Sequence, residues 1–245
     1  MPYTAVTALS HAGLVREHNE DSLVVGPWTL CGTVTENPQT FLFPLGTPLV
    51  VAVADGLGGH PAGEVASGLV VRRLAGPAAW PVSAEGVRHA MNDCNRAVYE
   101  AASGEPGRAT MGTTVAGAVV LPDALLVFNV GDSRVYAAGA GPLRRLSVDD
   151  SPPSEPGHTT SLVTQTLGGG RVFSAVDPHV RRHPSTVGDR FLVCSDGLTD
   201  PVPDEVLDRL LRSHDDSRAA FELWKAAIEA GGPDNITLAL IRIGA

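Results

Sequence analysis

The chain has 245 residues, 43% of them hydrophobic and 18% charged, a balance that excludes disorder and allows a core large enough to surround a polar site. Lys and Arg number 18 against 27 Asp and Glu, so the formal charge is −9. Basic residues gather only in pairs such as Arg72-Arg73, Arg144-Arg145 and Arg181-Arg182, which argues against a nucleic-acid-binding face.

The N-terminal stretch carries Arg16, Glu17 and Glu20 and has no leader pattern. No apolar run of about 18 residues is present, so neither a membrane span nor a membrane anchor is expected. Cys31, Cys94 and Cys194 form no C-x-x-C and read as reduced thiols of a cytoplasmic protein.

In chain order, residues 3–9 and 22–26 read as short strands. Residues 27–48, with Pro27, Pro38, Pro44, Gly46 and Pro48, read as a long loop or loose hairpin. The unbroken apolar run Val50–Ala54 fits a strand covered on both faces. Helices are predicted over 62–75, with Val65, Leu69, Val70 and Leu74 on one face, and over 84–102, with Ser83 as N-cap.

Strands follow at 113–120, 124–130, 133–138 and 143–146, then an irregular stretch at 148–160. Gly168-Gly169-Gly170 reads as a flexible turn rather than a phosphate cradle, because no Lys-Ser/Thr follows. Strands near 176–182 and 190–195 precede helices at 203–212 and 217–230, the second opening at Ser217. A last strand runs over 236–243. Strands in groups, not alternating with helices, favour antiparallel sheets covered by helices.

Three apolar runs end in aspartate, at Asp55-Gly56, Gly131-Asp132 and Asp196-Gly197. Asp234 stands just before the last strand, and Glu20-Asp21 just before the strand at 22–26. One Asp-Gly after a strand reads simply as a turn; three carboxylates at strand ends read as a site. Carboxylates brought together repel and are costly to desolvate, and a divalent cation removes that cost. An all-oxygen set selects hard ions, Mg²⁺ or Mn²⁺; Ca²⁺ would also suit, but no EF-hand loop is present. Cys194, inside an apolar strand, reads as core.

The segments Arg16-Glu17-His18-Asn19-Glu20-Asp21, Asp55-Gly56-Leu57-Gly58-Gly59-His60, Gly112-Thr113-Thr114, Gly131-Asp132-Ser133-Arg134, Cys194-Ser195-Asp196-Gly197 and Asp234-Asn235-Ile236-Thr237 follow one another as in the PPM (PP2C-type) protein phosphatases, which the chain resembles from Gly13 to Ile243. The resemblance implies an α+β fold, a four-layer α-β-β-α sandwich of two antiparallel sheets flanked by helices, as a single catalytic domain over 1–245. It implies hydrolysis of phosphoserine and phosphothreonine by a water bridging two Mn²⁺ or Mg²⁺ ions, without a phospho-enzyme.

By resemblance, Asp55 would bridge both ions, the carbonyl of Gly56 would bind the first, and Asp196 and Asp234 the second. Glu20 or Asp21 would hold bound waters or contact the second ion. Asp132, with Asp196, would hold the third, weaker ion of bacterial relatives, and Arg16 would clamp phosphate oxygens. His60 is a candidate general acid. The animal enzymes, however, place their histidine where this chain has Leu57, so orientation of a bound water is the other role open to it. His11 and His18 read as surface residues or as residues supporting the site.

The flap around 148–170 reads as shortened. Expected partners are phosphorylated proteins and a cognate Ser/Thr kinase, with a monomeric enzyme and no nucleic acid. The alternatives are a catalytically inactive relative that binds a partner, and a hydrolase of small phosphoesters.

Overall fold

The structure, a computed structural model, describes residues 2–57, 62–76, 80–139, 141–152 and 162–245. In chain order the strands begin with β1 (Tyr3–His11), β2 (Ser22–Val25), β3 (Trp28–Cys31), β4 (Gln39–Pro44), β5 (Leu49–Ala54) and β6 (Gly56–Leu57). Helices α1 (Ala62–Leu74) and α2 (Ala84–Ala102) follow, then β7 (Gly112–Thr113), β8 (Val115–Val120), β9 (Ala124–Val130), β10 (Arg134–Ala137) and β11 (Arg144–Arg145). The remainder is β12 (Leu167–Gly168), β13 (His179–Pro184), β14 (Arg190–Cys194), α3 (Asp196–Thr199), α4 (Asp204–Ser213), α5 (Asp216–Glu229) and β15 (Ile236–Gly244).

Two six-stranded antiparallel sheets, ordered β11-β10-β14-β15-β1-β4 and β13-β9-β8-β5-β2-β3, carry the fold, and a small sheet β12-β7-β6 sits beside them. Strand alternation sends side chains to opposite faces, and the sequence uses both. In β5, Val51 and Val53 enter the core between the sheets with Val6, Phe191 and Ile241. Val50, Ala52 and Ala54 enter a second core under α1 and α2, with Val70, Met91 and Val98. In β15, Ala239, Ile241 and Ile243 face the inter-sheet core, while Ile236, Leu238 and Leu240 pack on α4 and α5 through Leu207, Leu211 and Leu223. The layers are therefore helix, sheet, sheet, helix, as expected.

The helices match the sequence reading closely. Ser83 caps α2 by accepting from the Gly86 N–H at 3.1 Å. The cap of α5 is Asp215, accepting from the Arg218 N–H, and not Ser217. Residues 27–48 correct the expectation of a loop or loose hairpin. They contain β3 and β4, which do not pair with each other: β3 lies against β2 in one sheet and β4 against β1 in the other. Both are edge strands, where prolines and partial exposure are tolerated. Gly168 is a second correction. It belongs to β12, paired with Gly112 of β7, and its N–H donates to Asn95 Oδ1 at 2.8 Å, so it is held rather than flexible.

Register fixes where the strand ends lie. Ala54, at the end of β5, pairs with Ser22 at the start of β2; Val130, at the end of β9, pairs with Val115 at the start of β8; Cys194, at the end of β14, pairs with Leu238 near the start of β15. Antiparallel pairing thus delivers Asp21, Asp55, Asp132, Asp196 and Asp234 to one end of the sandwich. Among the described residues no helix is long and apolar enough to cross a membrane.

Gly117 of β8 faces Ala52 of β5, and a Cβ there would stand 2.5 Å from both the Ala52 Cβ and the Val51 carbonyl oxygen. Gly117→Ala is expected to destabilise the protein by about 1–3 kcal/mol through overpacking, measured as a lower urea midpoint at unchanged slope.

Candidate metal centre

A cleft of about 440 Å³ opens at that end, and its lining includes Arg16, Glu20, Asp55, Gly56, Asp132, Asp196 and Asp234. Asp21 lies beneath it, 1% exposed, with Oδ2 accepting from Ser195 Oγ at 2.8 Å. His18 lines the cleft, whereas His11 is occupied with the Gly13 N–H and the Trp224 ring. His60 lies outside the described residues. Cys194 is fully buried, as expected of core, and Cys31 and Cys94 are unpaired thiols as well.

Uncharged hydrogen bonds hold the loops that carry these groups. Asn235 Nδ2 donates to the carbonyls of Ala12 (3.0 Å) and His18 (2.9 Å), and its Oδ1 accepts the Glu20 N–H at 2.7 Å. One amide side chain therefore ties the Arg16–Asp21 loop to the start of β15. Thr113 Oγ1 donates to the Asp55 carbonyl at 2.7 Å, and Thr114 Oγ1 meets Ser133 Oγ at 2.7 Å beside Asp132. The turns also interlock by close approach: a Cβ on Gly197 would fall 1.9 Å from the Asn235 carbonyl oxygen. The supporting roles of Asn235, Ser195, Thr113 and Thr114 do not follow from sequence reasoning; their one signal is that each lies inside a quoted motif.

Charge is poorly compensated at this site. Burial, then the neighbouring Asp196 and Asp21, push the Asp55 carboxyl well above the usual carboxylate range. Burial pushes Asp21 and Asp196 up too, and Asp132 is pushed up to about 7 by burial and by Asp196. Asp55 and Asp196 meet carboxyl to carboxyl. The Asp21 and Asp196 Oδ1 atoms are buried without a hydrogen-bond partner. As the side chains stand, no three Asp, Glu, His or Cys groups among the described residues are gathered closely enough to hold an ion. Arg16 Nη2 donates to Asp234 Oδ2 at 2.7 Å while remaining half-exposed over the cleft.

Residues 44–235 match the family model described as protein phosphatase 2C. The chain is 32% identical, over 94% of its length, to the serine/threonine protein phosphatase PstP of Mycobacterium tuberculosis, and spans 43% of that longer protein. It is 33% identical to the serine/threonine phosphatase stp of Listeria monocytogenes, covering 94% of this chain and 92% of that one. A crystal structure of the catalytic domain of PstP in complex with two manganese ions superposes with a TM-score of 0.78 at 30% identity, covering 100% of both chains. The chain belongs to the protein phosphatase 2C family.

In their chemistry, though not in their present spacing, the residues fit a divalent cation: the donors are all oxygen, two carry a buried and unpartnered oxygen, and burial, then mutual repulsion, favours their protonated forms. The pH dependence follows. A carboxyl held above its usual range binds more protons folded than unfolded, so these groups make the cation-free fold less stable as pH rises from about 4 to about 7. A cation displaces those protons and removes the penalty. Thermal melts with Mn²⁺ and with EDTA should therefore show a larger Mn²⁺-induced rise in Tm at about pH 7.5 than at about pH 5.5. An equal rise at both values would contradict the assignment.

Proposed function

We propose that this chain is a metal-dependent serine/threonine protein phosphatase, with residues 1–245 as its catalytic unit. The observation that carries the reading is the cleft itself, where Asp55, Asp132, Asp196 and Asp234 face one arginine, Arg16. Family membership and the two manganese ions of the PstP catalytic domain support it.

Asp55 and the Gly56 carbonyl would hold the first Mn²⁺ or Mg²⁺, and Asp55, Asp196 and Asp234 the second. Glu20 and Asp21 would orient water around them, and Asp132 with Asp196 would hold a third. Bound there, the ions would supply an activated water for direct, in-line hydrolysis of the phosphoester without a phospho-enzyme.

The chain's own groups do the rest. Arg16 reaches over the cleft and can transfer one fork of its guanidinium from Asp234 to a phosphate oxygen. Asn235 holds the loop bearing Arg16 and Glu20 in register with Asp234, so the clamp and the carboxylates keep a fixed spacing. Asp21, anchored by Ser195, supports the floor beneath Asp196. The natural substrates are phosphorylated proteins, and a Ser/Thr kinase is the expected opposing enzyme.

Asp196→Asn should lower Mn²⁺-dependent hydrolysis of a phosphothreonine peptide by at least ~10²-fold while circular dichroism stays unchanged. Arg16→Ala should mainly raise KM, by about tenfold, since it removes a phosphate contact present before the reaction begins. Wild-type protein that hydrolyses no phosphopeptide with either ion would refute the proposal, and faster turnover of small phosphoesters than of peptides would redirect it.

A further inference from the structure

The turn that carries Asp132 is gripped by a residue that does not line the cleft. Both backbone polar groups of Gly131 go to Asp150: the Gly131 N–H donates to Asp150 Oδ2 at 2.8 Å, and the Gly131 carbonyl accepts the Asp150 N–H at 3.0 Å. From the other side Gly131 is confined by Thr114, whose Cβ lies 2.6 Å from where a side chain would begin, and its φ of +102° needs glycine. The position of Asp132 is thus set one residue upstream, by Asp150 and Thr114 together with Asn129, whose Nδ2 also donates to the Gly131 carbonyl at 3.3 Å.

Asp150 also holds the segment that returns toward β12. Its carbonyl accepts the Thr164 N–H at 2.7 Å, and its Oδ2 accepts Gln165 Nε2 at 2.9 Å. Its Oδ1 accepts His179 Nε2, at the start of β13, at 2.8 Å. Gln165 Oε1 in turn accepts the Asp177 N–H at 2.6 Å. Val163, next to Thr164, lines the cleft together with Asp132. A single mostly buried carboxylate therefore joins the Asp132 turn, the returning wall of the cleft and the edge strand β13.

We propose that Asp150 is a positioning residue that couples the cation affinity of the Asp132 site to the shape of the substrate-facing wall at Val163. This rests on the phosphatase reading above. Both carboxylate oxygens act as acceptors, Oδ2 for Gly131 and Gln165 and Oδ1 for His179 in the tautomer protonated at Nε2. Asparagine at 150 can keep its oxygen toward Gly131 and Gln165 and turn its amide toward His179, which accepts at Nε2 in its other tautomer. Alanine keeps only the two backbone bonds.

The test measures Mn²⁺ binding by calorimetry, and the Mn²⁺ dependence and KM of phosphothreonine-peptide and p-nitrophenyl phosphate hydrolysis. It uses Asp150→Ala, Asp150→Asn, His179→Ala, Asp132→Ala and the Asp150→Ala/Asp132→Ala double variant. Asp150→Ala should weaken the lower-affinity Mn²⁺ step about tenfold and raise KM for the peptide more than for the small ester. Asp150→Asn should behave like wild type, and His179→Ala should fall between them. In the Asp132→Ala background, Asp150→Ala should no longer change Mn²⁺ binding, since the residue it acts through is gone.

A loss of Tm alone, with Mn²⁺ binding and both KM values unchanged in Asp150→Ala and His179→Ala, would overturn the proposal. So would an equal further weakening in the Asp132→Ala background. If Asp150→Ala does not fold, His179→Ala carries the same comparison. Wild-type protein without hydrolysis would sink the phosphatase reading instead, and the calorimetric arms would still decide the role of Asp150.

Discussion

Like charges held out of water set the terms for this molecule. Two carboxylates about 4 Å apart repel by about 4 kcal/mol at an effective dielectric of about 20, and a domain is stable by only about 5–15 kcal/mol in all. Asp21 is buried and Asp55 and Asp196 are half-buried, within reach of one another's charge, with Asp132 and Asp234 close by. The two-sheet core with helices on both faces holds them there, and protonation relieves part of the repulsion. The same strain that weakens the cation-free fold is available to drive cation binding.

Such a cluster needs scaffolding that carries no charge of its own, and the structure supplies it in amides, hydroxyls and glycines. Asn235 makes three hydrogen bonds to backbone groups of other segments, and Ser195, Thr113, Thr114 and Ser133 hold the remaining turns. Gly197 lets the α3 turn approach the Asn235 carbonyl more closely than any side chain would permit. Salt bridges are mostly placed elsewhere: Arg134 with Asp149 beside β10, and Arg190 and Arg242 with Asp216 at the α5 start. Among the described residues Arg16 with Asp234 is the exception at the cleft, and it is half-exposed, where an ion pair is weak.

How much of this the sequence discloses depends on how local each cause is. The buried strands and the helix faces come from periodicity within a few residues, and α2 begins and ends where its cap and apolar spacing put it. The aspartates are visible because each closes an apolar run. The edge strands β3 and β4 were hidden, since half-exposed residues and prolines give no alternation, and their partners lie in different sheets. Asp150 was hidden more completely. It stands in a Ser-, Pro- and Asp-rich stretch, and its partners are 15, 19 and 29 residues away in sequence. Nothing local distinguishes it from a solvated loop residue.

The charge of the cleft also bears on what can enter it. Among the described residues its lining carries Glu17, Glu20, Asp55, Asp132, Asp196 and Asp234 against Arg16 as the one permanent cation. On the phosphatase reading a phosphoryl group, itself close to a dianion near neutral pH, would meet an acidic lining whose charge protonation relieves only in part, and Arg16 is already engaged with Asp234. Divalent ions would invert that charge. Cation binding would then do two things at once: relieve the repulsion that opposes the fold, and create the attraction that draws the phosphate in. On the phosphatase reading, substrate affinity, and not turnover alone, would depend on the ions, and a wall that moves with Asp132 would tie substrate fit to ion occupancy.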